Sequence, residues 1–296
     1  MKLKLAVAAA LLSTSVSAQD WDKVEIRTEP VRNGIHVLYG AGGNIGVSVG
    51  EDGVYIIDDQ YAPLSEKISA AIATLSDKPV RFVINTHYHG DHTGGNEYFG
   101  KAGAVVVAHD NIRLRLEQGS FLKVFNMKTP PQTGAALPIV TFNDEMSLHL
   151  NGDEARIIHV KNAHTDGDSV VYFKKANVFH MGDTLFADRL PFIDVDGGGS
   201  IDGVIAAAKK VIGMADDDTV IIAGHGPNLN KSQLQAYHDM LVSVRNEISG
   251  LKASGLSLED IVAQRPLDDL EAGWLSAGAE WTDLFIGFVY SSLPTS

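Results

Sequence analysis

Apolar and polar positions along the chain fall into two successive blocks. Between Val24 and Asp59, short runs rich in β-branched residues (Ile35 to Tyr39, Ile45 to Val49, Val54 to Ile57) are separated by glycine-rich turns at Ala41 to Asn44 and Glu51 to Gly53. Such a pattern predicts a meander of strands. Leu64, Ile68, Ala71, Ile72 and Leu75 then recur at helical spacing, so a helix is expected over Pro63 to Leu75. Val80 to Ile84 is a nearly continuous apolar run and reads as a buried strand. Gly90 to Phe99 is expected to start another helix, with a further strand at Ala104 to Ala108.

The second block begins near Glu145. Strands are expected at Met146 to Leu150, Ala155 to Val160, Ser169 to Phe173 and Val178 to Met181, then a helix at Ile201 to Met214, a strand at Thr219 to Ala223 and a long amphipathic helix at Ser232 to Lys252. Trp281, Leu284, Phe285, Phe288 and Val289 sit at helical spacing and mark an apolar face turned to the core. Two β-then-α blocks without a linker predict two sheets packed face to face with helices outside. The longest irregular stretch, Glu117 to Pro138 with its Pro130-Pro131 pair, is expected to lie over a site.

Composition narrows the class. The 296 residues are 45% hydrophobic and include no Cys, so a chain of this size must hold together by packing, without disulfides. A net charge of −13, with no stripe of Lys and Arg, argues against nucleic acid as a partner. Met1 to Ala18 opens with Lys2 and Lys4, continues through the apolar run Leu5 to Leu12 and closes on Val16-Ser17-Ala18. That is the pattern of a secretory signal peptide cleaved before Gln19. Its apolar run is well short of the ~20 residues of a membrane span. The expectation is a signal peptide at 1–18 and one domain at 19–296, periplasmic or secreted, with no stable membrane association.

Chemistry concentrates in Asn85-Thr86-His87-Tyr88-His89-Gly90-Asp91-His92. In an extended chain His87 and His89 point to one side and Tyr88 to the other, while Gly90 permits a turn that brings Asp91 and His92 back beside them. Four donors within six residues exceed what one tetrahedral zinc needs from a single segment, which predicts two neighbouring metal ions and further ligands elsewhere. His164, Asp183 and His225 qualify, each in a glycine-containing loop next to an apolar strand. His36, His109, His149, His159, His180 and His238 are expected to be structural.

The run His-x-His-x-Asp-His, followed by His164, Asp183 and His225, resembles the ligand pattern of the metallo-β-lactamase fold superfamily, over about Val24 to Asn228. The resemblance implies an α/β, four-layer αββα sandwich of two mixed sheets. It also implies two Zn2+ per chain, although iron and manganese accept the same donors. One ion would be held by His87, His89 and His164, the other by Asp91, His92 and His225, with Asp183 bridging; Asp58, ending a buried strand, would support the ligands from behind. Asp183, with no Cys in the chain, resembles the broader hydrolase branch, which includes glyoxalase II-like thioesterases and lactonases, more than the well-known β-lactamases.

In such a site a water shared by the ions has its pKa lowered from about 15.7 toward ~7 and attacks a carbonyl, with Asp91 and Asp183 as the acidic residues beside it. Candidate substrate contacts are the turn Gly40 to Asn44, Gln60, Tyr61, Phe121, Phe125, Met127 and the segment Arg189 to Phe192, with Arg189 poised for a carboxylate. The expected partner is a small carbonyl compound: a β-lactam, lactone or ester. The expected activity is hydrolysis, with β-lactam opening foremost because export brings the protein to cell-wall antibiotics. The alternatives are a lactonase, esterase or thioesterase, an iron-dependent persulfide dioxygenase-like oxidoreductase, or a non-catalytic periplasmic metal-binding protein. Asp194 to Gly199 has Ile205 where a calcium loop needs Glu, and is expected to be a flexible turn.

Overall fold

Strands whose two faces are both apolar need a cover on each side, and that requirement organises the computed structural model, which describes residues 20–294. The signal segment expected at 1–18 lies outside the described residues. In chain order the strands are β1 (Arg27–Arg32), β2 (Ile35–Tyr39), β3 (Ile45–Gly50), β4 (Gly53–Ile57), β5 (Val80–Ile84), β6 (Val105–His109), β7 (Ser120–Leu122), β8 (Met127–Thr129), β9 (Val140–Phe142), β10 (Glu145–Leu150), β11 (Asp153–His159), β12 (Ser169–Phe173), β13 (Val178–His180) and β14 (Val220–Ile222). The helices are α1 (Ser65–Ala73), α2 (Gly90–Thr93), α3 (Asn96–Lys101), α4 (Asp110–Gln118), α5 (Ile201–Met214), α6 (Lys231–Ala253), α7 (Leu258–Gln264) and α8 (Ala279–Ser292).

One sheet runs β1-β2-β3-β4-β5-β6-β9 and the other β10-β11-β12-β13-β14. Both are mixed: β1 to β4 pair antiparallel and β4, β5, β6 and β9 parallel, while β10 to β13 pair antiparallel and β13 pairs parallel with β14. Alternation then builds four layers. In β4, Tyr55 and Ile57 face the second sheet, whereas Val54 and Ile56 pack in the outer layer with Ile68 and Ile72 of α1. In β12, Val171 and Phe173 face inward and Val170 packs in the layer of α5, α6 and α8. Tyr55 and Phe173 meet between the sheets at 6.0 Å. This is the expected αββα sandwich. Among the described residues no helix is long and apolar enough to cross a membrane.

Most elements fall where apolar periodicity puts them, α5 at the same bounds and α6 within a residue. Some differ for local reasons. The helix expected from Gly90 to Phe99 is broken into α2 and α3, because Gly94 and Gly95 press against the chain at Asp59 and Gln60, and the Gly95 N–H donates to Asp59 Oδ1 (2.8 Å). The stretch expected to be irregular contains a hairpin, β7 and β8, turned by Asn126 in the left-handed region (φ +50°). The edge strand β1 is hidden in the sequence by Pro30 and its charges, both of which an edge tolerates.

This topology positions a site. β4, β5, β11, β13 and β14 lead at their C-terminal ends into the segments carrying Asp58, His87 to His92, His164, Asp183 and His225. The start of α5 closes over the His164 loop because position 203 is glycine: a Cβ there would lie 1.8 Å from the Asn162 carbonyl oxygen. Gly203→Ala should therefore lower unfolding stability by about 1–3 kcal/mol in urea titration. Gly213→Ala, later in the same helix with nothing within 4 Å, should raise it by up to about 1 kcal/mol. Equal effects at the two positions would contradict the close approach at 203.

Candidate metal centre

Residues 85–89 leave β5 through a bend at Thr86 to Tyr88, rather than continuing extended, and carry His87 and His89 side by side, with ring centroids 4.8 Å apart. The short helix α2 then folds His92 back until its ring lies 4.2 Å from that of His87. His164 arrives from the loop after β11, Asp183 from the turn after β13 and His225 from the end of β14. His87, His89, His164 and Asp183 present donor atoms within 4.8 Å of one another, as do Asp91, His92 and His225. Asp183 stands between the two groups: its Oδ2 is 3.8 Å from His87 Nε2, 3.7 Å from His164 Nε2 and 3.4 Å from His225 Nε2, and its Oδ1 is 3.1 Å from His92 Nε2.

The imidazoles are aimed. His92 Nδ1 is fixed by Asp58 Oδ2 (2.7 Å), and His164 Nδ1 by the Phe192 carbonyl (2.9 Å). Thr86 donates its hydroxyl proton to Asp58 (2.7 Å), leaving a lone pair that faces His87 Nδ1 at 3.1 Å. His89 is turned the other way round, with Nε2 on Asp194 (3.0 Å) and Nδ1 facing His164 Nε2 (2.9 Å). Each of these four rings thus has one nitrogen held from outside and the other directed into the cluster, the arrangement by which proteins set the tautomer of metal-binding histidines. His87 Nε2 is buried without a hydrogen-bond partner. A nitrogen-rich pocket with an unpartnered inward lone pair and a central carboxylate fits a soft-to-borderline divalent cation.

Charge is balanced within the cluster. Burial opposes a proton on His92, but Asp183, Asp91 and Asp58 outweigh it and lift its pKa well above the ordinary range. The same contest, burial against Asp183 and Asp91, raises His225 to about 9. Burial and the neighbouring His92 push His87 well below its ordinary value, and burial takes His164 down to about 4. Burial also works against ionised Asp91, yet His92 and His225 hold it at about 2.

Several residues expected at the site stand elsewhere. Gln60 is fully buried rather than facing substrate; its left-handed backbone (φ +57°) turns the amide onto the Gly43 carbonyl (2.7 Å). The turn Gly40 to Asn44 is also structural in part: a Cβ at Gly43 would sit 2.0 Å from the His92 ring, and Asn44 Nδ2 donates to the carbonyls of Ala223 (2.9 Å) and Gly226 (2.8 Å), bracketing His225. Phe121 misses the cleft because it pairs with Lys128 across the hairpin, on the face opposite the Leu122–Met127 pair. Arg189 is held by Asp188 (3.0 Å) and lines a neighbouring depression with Arg27 and Tyr39, reaching the centre only through His225. Tyr61, Phe125 and Met127 do line the cleft that opens on Asp91, Asp183, His89 and His225, together with Leu122, Phe186 and Phe192.

Asp194 has a role that its local sequence hides. Far from being a flexible turn, it is buried, accepts hydrogen bonds from Tyr88 Oη and from the Gly197 N–H (2.8 Å), and holds His89. The Arg115 guanidinium lies over the Tyr88 ring (5.2 Å) and is paired through two 2.7 Å contacts with Asp166. Phe186, stacked on His225 at 5.0 Å, had only its apolar character to mark it.

Residues 38–225 match the family described as the metallo-beta-lactamase superfamily. Among curated proteins, the alpha subunit of 2,4-dinitroanisole O-demethylase from Nocardioides sp. is 23% identical over 229 residues, covering 76% of this chain and 65% of that protein. A hydroxyacylglutathione hydrolase from Methylococcus capsulatus is 33% identical over 106 residues, covering 36% of this chain and 34% of that one. The matches thus span less than two thirds of these relatives' own length. Among solved structures, DIM-1 metallo-beta-lactamase superposes with a TM-score of 0.60 at 16% identity, covering 75% of this chain and 99% of that one. The inverting sec-alkylsulfatase Pisa1 from Pseudomonas sp. gives 0.63 at 17%, covering 80% and 45%. At such identities the structural likeness speaks for the fold. The family match, extending over more than half of the sequence, goes further: this chain belongs to the metallo-beta-lactamase superfamily of metal-dependent hydrolases.

Proposed function

We propose that the protein is an exported hydrolase that holds two zinc ions and cleaves a small carbonyl compound, with β-lactam ring opening as the activity to test first and lactones, esters and thioesters as its chemical neighbours. The observation that carries the reading is the Asp183 carboxylate, set within 3.8 Å of four imidazoles drawn from both donor groups. His87, His89 and His164 would hold one ion and Asp91, His92 and His225 the other, with Asp183 shared. When bound, the ions supply Lewis acidity toward a carbonyl oxygen and bring a nearby water's pKa toward ~7. Export rests on the Lys2 to Ala18 pattern, and the β-lactam choice on that location and on the likeness to DIM-1.

The chain's own groups do the rest. Asp58, Asp194 and the Phe192 carbonyl keep three of the rings in one tautomer, so the donors are positioned before substrate arrives. Asp91, one-fifth exposed at the cleft floor, and Asp183 are the carboxylates placed to accept a hydrogen bond from a water and orient it. Tyr61 lines the same cleft; burial and the carboxylates of Asp91 and Asp183 push its pKa up, so it stays a neutral hydrogen-bond donor.

Purified full-length protein, analysed for zinc, should turn over at least one compound in a panel of nitrocefin, a carbapenem, lactones and thioesters. Asp91→Ala and His164→Ala should each lose bound zinc and abolish that turnover while keeping the far-ultraviolet circular dichroism of the parent. Full activity in either variant would remove that residue from the site, and an inert zinc-loaded parent would contradict hydrolysis of these substrates. Asp194→Asn should weaken zinc binding by ~10–100-fold in chelator competition, as loss of a partner that orients a ligand does. An unchanged affinity would mean that Asp194 only shapes its loop.

A further inference from the structure

The cleft above the donors is two-natured. Its floor is His89, Asp91, Asp183 and His225; its walls are Tyr61, Leu122, Phe125, Met127, Phe186 and Phe192, enclosing about 280 Å³ with no Lys or Arg among the lining residues. Phe125 and Met127 remain 44% and 38% exposed, as do Phe121 (43%) and Val124 (38%), so one short hairpin carries four of the exposed large apolar side chains. Apolar surface concentrated beside a cluster of functional groups marks a binding face.

The wall is assembled in advance. Leu122 and Met127 are cross-strand partners and share the inward face of the hairpin. At the tip, Phe125 packs on Phe192 (5.0 Å) and stacks with Trp281 of α8 (6.2 Å, 14° between planes), while Phe192 packs on Phe288 of the same helix (5.1 Å). A surface already fixed by packing loses little freedom when a ligand covers it, so its apolar area converts efficiently into affinity. A charged substituent in the same space would give up its hydration and meet no cation on the walls.

We propose that this cleft selects neutral carbonyl compounds bearing one aryl or short alkyl group, which packs on Phe125 and Met127 while the carbonyl faces Asp91, Asp183 and His225. The proposal rests on the hydrolase reading above and narrows it to the neutral esters and lactones, at the expense of β-lactams such as nitrocefin and the carbapenems, which carry a carboxylate. At about 280 Å³ the cleft lies at the small end of ligand pockets, which run from roughly 300 to 1,000 Å³, and so suits a single ring or a short chain.

The test uses zinc-loaded full-length protein with methyl acetate, methyl butyrate, methyl hexanoate and monomethyl succinate, followed by acid release. The kcat/KM should rise along the neutral series by up to roughly fourfold for each methylene that enters the cleft. Monomethyl succinate should fall about tenfold or more below methyl butyrate. In Phe125→Ala, and again in Met127→Ser, the ratio of hexanoate to acetate should drop toward one, whereas Phe121→Ala, on the other face of the hairpin, should keep the parental ratio. Ester cleavage with a flat series, a preference for the succinate, or an equal effect of Phe121→Ala would overturn the proposal and leave the hydrolase reading intact. Binding by ligand-observed NMR separates the converse case: if no ester is cleaved but hexanamide binds better than succinamate in a Phe125-dependent way, the cleft's selectivity stands and the hydrolase reading falls. Equal binding of the two amides would sink the selectivity on its own.

Discussion

Lone pairs converge on the Asp183 carboxylate, and that convergence constrains everything around it. His89 Nδ1 and His164 Nε2 face one another at 2.9 Å while their other nitrogens are hydrogen-bonded outward, so the two repel unless a cation or a proton lies between them. The protein holds them there by anchoring the far side of the rings. Asp58 takes His92, Asp194 takes His89, and the backbone of Phe192 takes His164. The stability of the site therefore depends on buried anions and carbonyls that never touch substrate.

Such anchoring is possible because the sandwich delivers the donors from strand ends rather than from free loops. Asp58 follows β4 and the His87 to His92 segment follows β5 in one sheet, while Asp183 follows β13 and His225 follows β14 in the other. Asn44 ties the two sheets together at this edge by reaching the carbonyls of Ala223 and Gly226. Close contacts that only glycine allows, such as Gly43 on the His92 ring, remove slack from the arrangement. Above it, the hairpin of β7 and β8 adds an apolar wall fastened to α8, so the same centre faces a cleft whose chemistry is set separately from that of the donors.

Much of this was legible in the sequence. Strands and long helices declare themselves by period, and α5 and α6 are read almost to the residue because each has an apolar face against the second sheet. The donor pattern is legible because four of its members fall within six residues after an apolar strand. What escaped depends on contacts distant in the chain or on backbone direction. Asp194 is 105 residues from His89 and looked like one more acidic residue in a glycine-rich turn. Gln60 reads in sequence as a substrate contact, but a left-handed backbone, which no local pattern of hydrophobicity reports, turns it inward. Phe121 and Met127 looked equivalent until the register of a hairpin hidden in a seemingly irregular stretch put them on opposite faces.

In the proposed centre two cations share Asp183. Diffraction data collected on either side of the zinc absorption edge, from crystals of zinc-loaded protein, test it most directly. Two anomalous peaks should appear, one among His87, His89 and His164 and one among Asp91, His92 and His225, with Asp183 in contact with both. A single peak, or peaks away from Asp183, would contradict the account.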